Sequence, residues 1–196
     1  MIRTYFNHRA VIWDETNSET DISKLEQMAK RLNIKPGATV LDVGCGTGVF
    51  IPFLLSRVRR EGRLVALDFA EEMLNRAWAK GFNVAYLHAD VTSIPVGDEV
   101  FDVVVCYSSF PHFQDKPRAL AEINRVTKSG GRLLICHTSS RAVVNQLHRQ
   151  IPAVENDTIP DEQEMQFLLS WAGFTNIKIE DSSQSYLAGA RKPRLA

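Results

Sequence analysis

Cysteine is scarce: three residues in 196, an odd number without paired spacing, one of them (Cys45) between two glycines. That excludes a disulfide framework. A surplus of charge is missing as well, because 23 Lys and Arg are balanced by 23 Asp and Glu, whereas a domain whose affinity comes mainly from neutralising phosphates carries a basic excess. Nucleic acid is therefore a disfavoured partner. No uncharged apolar run is long enough to span a bilayer, and the first nine residues carry charges where a secretory leader needs its apolar stretch. No membrane partner is expected, and a reducing cytoplasm is the expected location. Repeats and low-complexity tracts are absent, and the five histidines show no metal-ligand spacing, so no metal is expected. What remains is an average soluble composition, 44% hydrophobic and 23% charged, over a length suited to one domain with a sizeable core.

From Thr39 on, short apolar runs alternate with helical periodicity, the pattern of βαβ units and a mostly parallel sheet. Strands are predicted over 39–43, 63–67, 83–87, 102–107 and 131–136, with helices near 48–59, 71–80 and 116–128. The tail differs: a helix over 161–172 precedes strands over 176–180 and 185–190, joined by Asp181-Ser182-Ser183. So short a polar turn requires an antiparallel pair. Upstream, Ser18 and Asp21 stand in capping-box spacing before Ile22, Leu25, Met28, Ala29 and Leu32, which predicts a helix within 17–33, ended by Pro36-Gly37. Residues 5–14 carry aromatics with neither helical nor strand regularity and read as an arm.

The strongest signal is Val40-Leu41-Asp42-Val43-Gly44-Cys45-Gly46-Thr47-Gly48, a strand running into a glycine loop and then a helix. Glycine belongs where the backbone turns sharply and must approach a ligand without a Cβ in the way. In open α/β sheets that place is the carboxyl edge of the first strand, at the topological switch point. Asp68 follows the second strand, 68 − 44 = 24 positions after Gly44; a carboxylate there accepts from ribose hydroxyls and implies a nucleoside cofactor. Dinucleotide fingerprints place the third glycine one position later, and a phosphate-cradling P-loop needs a Lys-Ser/Thr pair that is missing. The acid at the strand end, Asp42, repels a pyrophosphate but suits a cofactor carrying an ammonium and a sulfonium, which describes S-adenosylmethionine.

The segment resembles motif I of the class I S-adenosylmethionine-dependent methyltransferases, particularly the small type 11 branch that includes the menaquinone methyltransferases. The likeness covers nearly the whole chain from Thr39. Leu67-Asp68-Phe69-Ala70-Glu71-Glu72-Met73-Leu74 resembles the ribose-binding acidic turn, followed by a helix whose Met73 packs by the adenine. In His88-Ala89-Asp90-Val91-Thr92-Ser93-Ile94-Pro95 the acid Asp90 is implied to accept from the adenine amino group, with Val91 beside it. Residues 101–107 resemble motif IV and end on Tyr107. Residues 122–133 resemble the helix and turn before strand five, with Ser129 in place of the usual proline. The resemblance implies a Rossmann-like α/β fold: a seven-stranded sheet of order 3-2-1-4-5-7-6, strand seven antiparallel, helices on both faces. It also implies that residues 1–37 form an arm and helix acting as a lid over a cofactor-binding core, 38–196, in one domain spanning 1–196. Cofactor-binding residues are expected to be Asp42, Gly44, Cys45, Gly46, Gly48, Asp68, Phe69, Met73, Asp90, Val91 and Tyr107.

Methyl transfer from a sulfonium is an in-line displacement for which orientation alone is worth roughly 7 to 11 kcal/mol. A general base is needed only where the acceptor must lose a proton. Candidates lie at the carboxyl edge of strands four and five: His112 first, in the aromatic loop 107–113, then His137 and Tyr107. Packing or substrate contact is the alternative for each. Substrate contacts are expected from Tyr5, Trp13, His112 and Arg141, the last sharing a helical face with Asn145 and His148 if 140–150 is helical. A solvated helix face is the other reading. Cys106 and Cys136, ending adjacent strands, read as buried inert hydrophobes. Motif IV reads Cys-Tyr-Ser-Ser, which disfavours exocyclic base-amine chemistry. The expected activity is methylation of a small-molecule acceptor. A tRNA or rRNA methyltransferase, and a non-catalytic S-adenosylmethionine-binding protein, are the competing readings.

Overall fold

The computed structural model describes residues 2–16 and 21–194. Seven strands form one sheet of order β3-β2-β1-β4-β5-β7-β6: β1 (Thr39–Val43), β2 (Arg63–Asp68), β3 (Ala85–His88), β4 (Phe101–Tyr107), β5 (Thr127–His137), β6 (Thr175–Asp181) and β7 (Tyr186–Arg191). The first five pair in parallel and β7 pairs antiparallel with both β5 and β6. This is the expected order and polarity.

Strands buried on both faces read as near-continuous apolar runs. In β1 and β4, Leu41, Val43, Val104 and Cys106 face one core with α6 (Lys116–Val126) and α8 (Glu162–Trp171). Val40, Val103 and Val105 face the other core, with α3 (Ile22–Arg31) and α4 (Ile51–Val58). The helices α5 (Glu71–Ala79) and α7 (Arg141–Arg149) complete the layers. Burial pushes the Cys106 thiol well above its ordinary range, as suits a packing cysteine.

Residues 2–16 depart from the expected irregular arm. They form α1 (Ile2–Arg9), a 3-10 turn (Ala10–Ile12) and a short α2 (Trp13–Thr16). Phe6 and Ala10 are buried against Ala70 and Met73, with Ile2 and Trp13 packed beside them. That helical stripe is diluted in sequence by exposed Val11 and Ile12, which hides its period. The predicted start of the next helix is half visible: Asp21 caps α3 through Ser23 and Lys24 N–H groups at 2.9 and 3.2 Å, while Ser18 lies outside the described residues.

Candidate active site

The loop after β1 is built by backbone hydrogen bonds before any ligand is considered. The N–H groups of Gly44 and Cys45 both donate to the Leu67 carbonyl, at 2.7 and 2.9 Å, and that of Gly48 to the Cys45 carbonyl. Gly46 N–H donates to Asp68 Oδ2 at 2.8 Å, and Ala70 N–H to Asp68 Oδ1 at 2.8 Å. Each carboxylate oxygen keeps a further lone pair for a ribose hydroxyl. Gly44 takes φ +70°, and a Cβ there would lie 2.4 Å from the Ser109 Cβ. Ser109 cannot retreat freely, because its hydroxyl donates to the Val43 carbonyl at 2.6 Å. The loop after β4 is thereby locked onto the end of β1, and glycine is required between them. At Gly46, with φ +54°, an added Cβ would meet nothing within 4 Å, so its open side faces the cavity it lines.

Two acids sit beneath this loop. Asp42 is 1% exposed and both of its carboxylate oxygens lack a hydrogen-bond partner. Burial, with the nearby Asp68 charge, pushes its pKa up to about 7, and burial lifts Asp68 to about 6 against the hydrogen bonds it accepts. An unpartnered buried carboxylate costs free energy unless a cation offsets it. A cofactor with an ammonium and a sulfonium supplies that cation, so the acids and the open glycine backbone fit S-adenosylmethionine.

The cavity in front of the loop measures about 290 Å³. Of the expected cofactor residues it is lined by Gly44, Cys45, Gly46, Asp68, Phe69, Met73, Asp90, Val91 and Tyr107. Asp42 lies behind the loop. Gly48 does not line the cavity; a Cβ there would crowd Ile51, Ala77 and Phe82 at 3.1 to 3.3 Å, so it serves close helix packing. One oxygen of Asp90 caps its own turn through Thr92 at 2.7 and 2.9 Å.

The N-terminal helices form the outer wall. The Phe6 ring meets Phe69, Trp13 and His112 edge to face at 5.9, 5.7 and 4.9 Å. Asp14 accepts from the Thr47 hydroxyl and pairs with Lys80 at 2.7 Å; Asn7 accepts from the Glu72 N–H at 3.1 Å. Sequence reasoning missed Asn7, Asp14 and Thr47 because each contact joins segments more than 30 residues apart.

His112 and Trp13 line the cavity, and Tyr107 stacks on Phe50 at 4.4 Å with its hydroxyl 3.1 Å from that of Thr138. Three candidates lie elsewhere. Tyr5 meets Phe6 edge to face at 5.2 Å and does not line the cavity. His137 is 1% exposed and faces Tyr186, a consequence of its position inside the sheet between β4 and β7. Arg141 donates its N–H to Asp181 at 3.0 Å, with its guanidinium 3.7 Å from the same carboxylate; the terminal hairpin draws it away from the cavity. Asn145 and His148 share a face with one another but turn it onto the 150–160 segment, so the expected polar substrate wall does not form. His112 has a partner that no sequence pattern announces: its Nδ1 lies 2.8 Å from Asp157 Oδ2.

Among the described residues no group of three or more His, Cys, Asp or Glu is placed to hold a metal, and no helix is long and apolar enough to cross a membrane.

Comparison with known proteins adds a family match, several relatives and a solved structure. The type 11 methyltransferase-domain family model matches residues 41–135. Demethylmenaquinone methyltransferase of Staphylococcus saprophyticus is 28% identical over 180 residues, covering 79% of this chain and 77% of that protein. The ubiquinone/menaquinone biosynthesis C-methyltransferase UbiE of Teredinibacter turnerae is 38% identical over 112 residues, 54% of this chain and 45% of that protein. The chain spans about half the length of several such relatives, 51% for those of Shouchella clausii and Geobacillus kaustophilus. Among solved structures, an S-adenosylmethionine-dependent methyltransferase from Aquifex aeolicus superposes with TM-score 0.76 at 27% identity, covering 95% of this chain and 98% of that one. The glycine loop thus sits inside a domain whose likeness to an S-adenosylmethionine-dependent methyltransferase runs nearly end to end, and the chain is similar to the class I S-adenosylmethionine-dependent methyltransferases, UbiE-like members among them, whose cofactor its loop and buried acids fit.

Proposed function

We propose that the chain methylates a small, mainly apolar molecule bound between the glycine-loop wall and the N-terminal helices, in the cytoplasm, with nucleic acid outside its substrate range. The observation that carries this reading is the cavity: about 290 Å³ beside the glycine loop, walled by Phe6, Trp13, Phe50, Phe69, Tyr107 and Phe113. Aromatic walls with a few placed polar groups suit a compact organic acceptor. The quinones after which the relatives are named are acceptors of that kind. Balanced charge supports the exclusion of nucleic acid, and three buried cysteines outside any disulfide suit a reducing compartment.

S-adenosylmethionine supplies an electrophilic methyl group when bound. The chain's part is to hold and orient. Asp68 accepts from the ribose, Phe69, Met73 and Val91 flank the adenine, Asp90 accepts from its amino group, and Asp42 balances the cationic end from behind the loop. Of the 1–37 segment read as a lid, residues 2–16 act as one, while α3 packs into the core beside α4: Phe6 and Trp13 exclude water, and Asp14 latches the lid to Thr47 and Lys80. His112, the imidazole lining the cavity, is the general base, a role worth about 10² to 10⁴ in rate.

The test is production of S-adenosylhomocysteine from S-adenosylmethionine with hydroquinones, catechols, phenols and thiols, alongside a cell extract treated or not with RNase. Turnover of a small acceptor, unaffected by RNase, supports the reading. Activity confined to extract and abolished by RNase overturns it in favour of an RNA substrate.

A further inference from the structure

The segment between α7 and α8 has no periodicity, yet it is tied down twice. Asn145 grips Ile159 in both directions, its amide donating to the Ile159 carbonyl at 3.0 Å and its oxygen accepting from the Ile159 N–H at 2.8 Å. One turn further along α7, His148 Nδ1 meets the Asp157 carbonyl at 2.5 Å. With its backbone fixed there, Asp157 reaches the Phe110–His112 turn: Oδ2 lies 2.8 Å from His112 Nδ1, and Oδ1 accepts from the Gln114 amide at 3.3 Å. The His112 and Asp157 side chains are only 14% and 13% exposed. The imidazole is also held from its sides, by Phe6 at 4.9 Å and by the His148 ring at 4.8 Å.

A carboxylate on Nδ1 can only accept, so the neutral imidazole carries its proton on Nδ1 and keeps its lone pair on Nε2. Nδ1 is committed to Asp157, which leaves Nε2 for the cavity that His112 lines. We propose that Asp157 is a positioning residue for methyl transfer, fixing the His112 tautomer so that Nε2 removes a proton from the acceptor. The acceptor class follows: a hydroxyl, a thiol or an acidic C–H, and not a tertiary amine or thioether, which has no proton to give. This inference rests on the reading of His112 as the acceptor-facing base.

The step balances without an external oxidant or reductant. The acceptor's X–H bond breaks toward Nε2, the electron pair on X forms the bond to the methyl carbon, and the sulfur–methyl bond breaks with its pair on sulfur. The imidazolium then formed lies against the Asp157 carboxylate and returns its proton to water. Burial holds the His112 pKa below its ordinary value; His148 on α7 and His137 at the end of β5 act the same way, while the hydrogen bond and charge of Asp157 oppose them. Lys116 on α6 faces Asp157 in turn. The base is therefore in its neutral form at pH 7.

The test is ring-nitrogen NMR of the histidines in the full chain loaded with S-adenosylhomocysteine, for the wild type, Asp157→Asn and Asp157→Glu. The wild type is expected to show His112 neutral with the proton on Nδ1. Asp157→Asn is expected to shift the His112 titration to lower pH and to mix its tautomers, with cofactor affinity changed less than about threefold. The glutamate variant restores the wild-type signature in part. A second arm compares matched acceptors, thiophenol against thioanisole and hydroquinone against N,N-dimethylaniline. The protic member alone is expected to turn over, with a roughly 10²-fold lower plateau in Asp157→Asn. A proton on Nε2 in the wild type, or equal turnover of both members of a pair, overturns the inference. The wild-type spectrum decides the tautomer whether or not any acceptor in the panel is used or the variant folds. Failure of the wild type to produce S-adenosylhomocysteine from any small acceptor, with the Nδ1–H tautomer present, counts against the proposed function instead.

Discussion

The two walls of the cavity are made in different ways. The proposed cofactor wall is built from three short local segments: residues 44–47, 68–73 and 90–91 lie at the ends of three neighbouring strands, and backbone hydrogen bonds set the glycine loop among them. The proposed acceptor wall is assembled from α1, α2 and the turn after β4, with the 150–160 segment behind it, joined by single side-chain contacts such as Phe6 to His112 and His112 to Asp157. A wall set by backbone geometry tolerates little change and keeps one ligand. One set by side chains can be re-cut for new acceptors without touching the fold, which is how a shared scaffold hosts many substrates.

The sharpest way to break this contrast is to attack the proposed cofactor wall. Asp68→Ala removes two backbone anchors and the proposed ribose acceptors together, and S-adenosylhomocysteine affinity is expected to fall by about 100-fold or more in a calorimetric titration, since each hydrogen bond to a charged group is worth roughly 1.5 to 3 kcal/mol. On the assembled wall, His112→Gln is expected to lower the rate of methyl transfer by about 10²-fold while cofactor affinity moves less than about threefold. An equal loss of affinity would erase the distinction between the walls. Phe6→Ala is expected to raise the acceptor KM about tenfold by admitting water, with a smaller effect on kcat.

Asp42 sharpens the contrast through pH. Its folded pKa of about 7 exceeds its ordinary 3.8, so the folded chain holds a proton that the unfolded chain releases. Stability of the cofactor-free protein therefore falls as pH rises from about 4 through 7, and is restored toward low pH. Asp42→Asn is expected to raise the cofactor-free Tm at pH 8 by roughly 5 to 10 °C, with the gain vanishing near pH 4, and to weaken S-adenosylmethionine binding. Calorimetric scans across pH check the sign. The smallest effect is expected at Arg141, whose pair with Asp181 is about a third exposed: Arg141→Ala should leave the acceptor KM within about twofold and cost at most about 1 kcal/mol of stability.

The sheet order and the cofactor loop were legible because strands buried on both faces and a glycine loop are written locally. The parallel core betrays itself as apolar runs, and the terminal hairpin as a turn too short for a crossover. The N-terminal helices were missed because the stripe Ile2, Phe6, Ala10, Trp13 is interrupted by apolar residues that face solvent. Asp157 left no trace: it lies 45 residues from His112 in a stretch without period, and it is brought into place by the grip of Asn145 on Ile159 and of His148 on its own carbonyl. Arg141 misled for the mirror reason, since its partner lies 40 residues on, in a hairpin whose position relative to α7 no local pattern states.

The ring of Phe6 touches Phe69 on the cofactor side and His112 on the acceptor side. On the proposed placement of cofactor and acceptor, both ligands pack against this one side chain, and their affinities are linked through it. Linkage makes the effect reciprocal, so the factor by which S-adenosylhomocysteine tightens acceptor binding equals the factor by which the acceptor tightens S-adenosylhomocysteine. Feedback from the spent cofactor is then strongest when acceptor is abundant, and it is built into one phenyl ring.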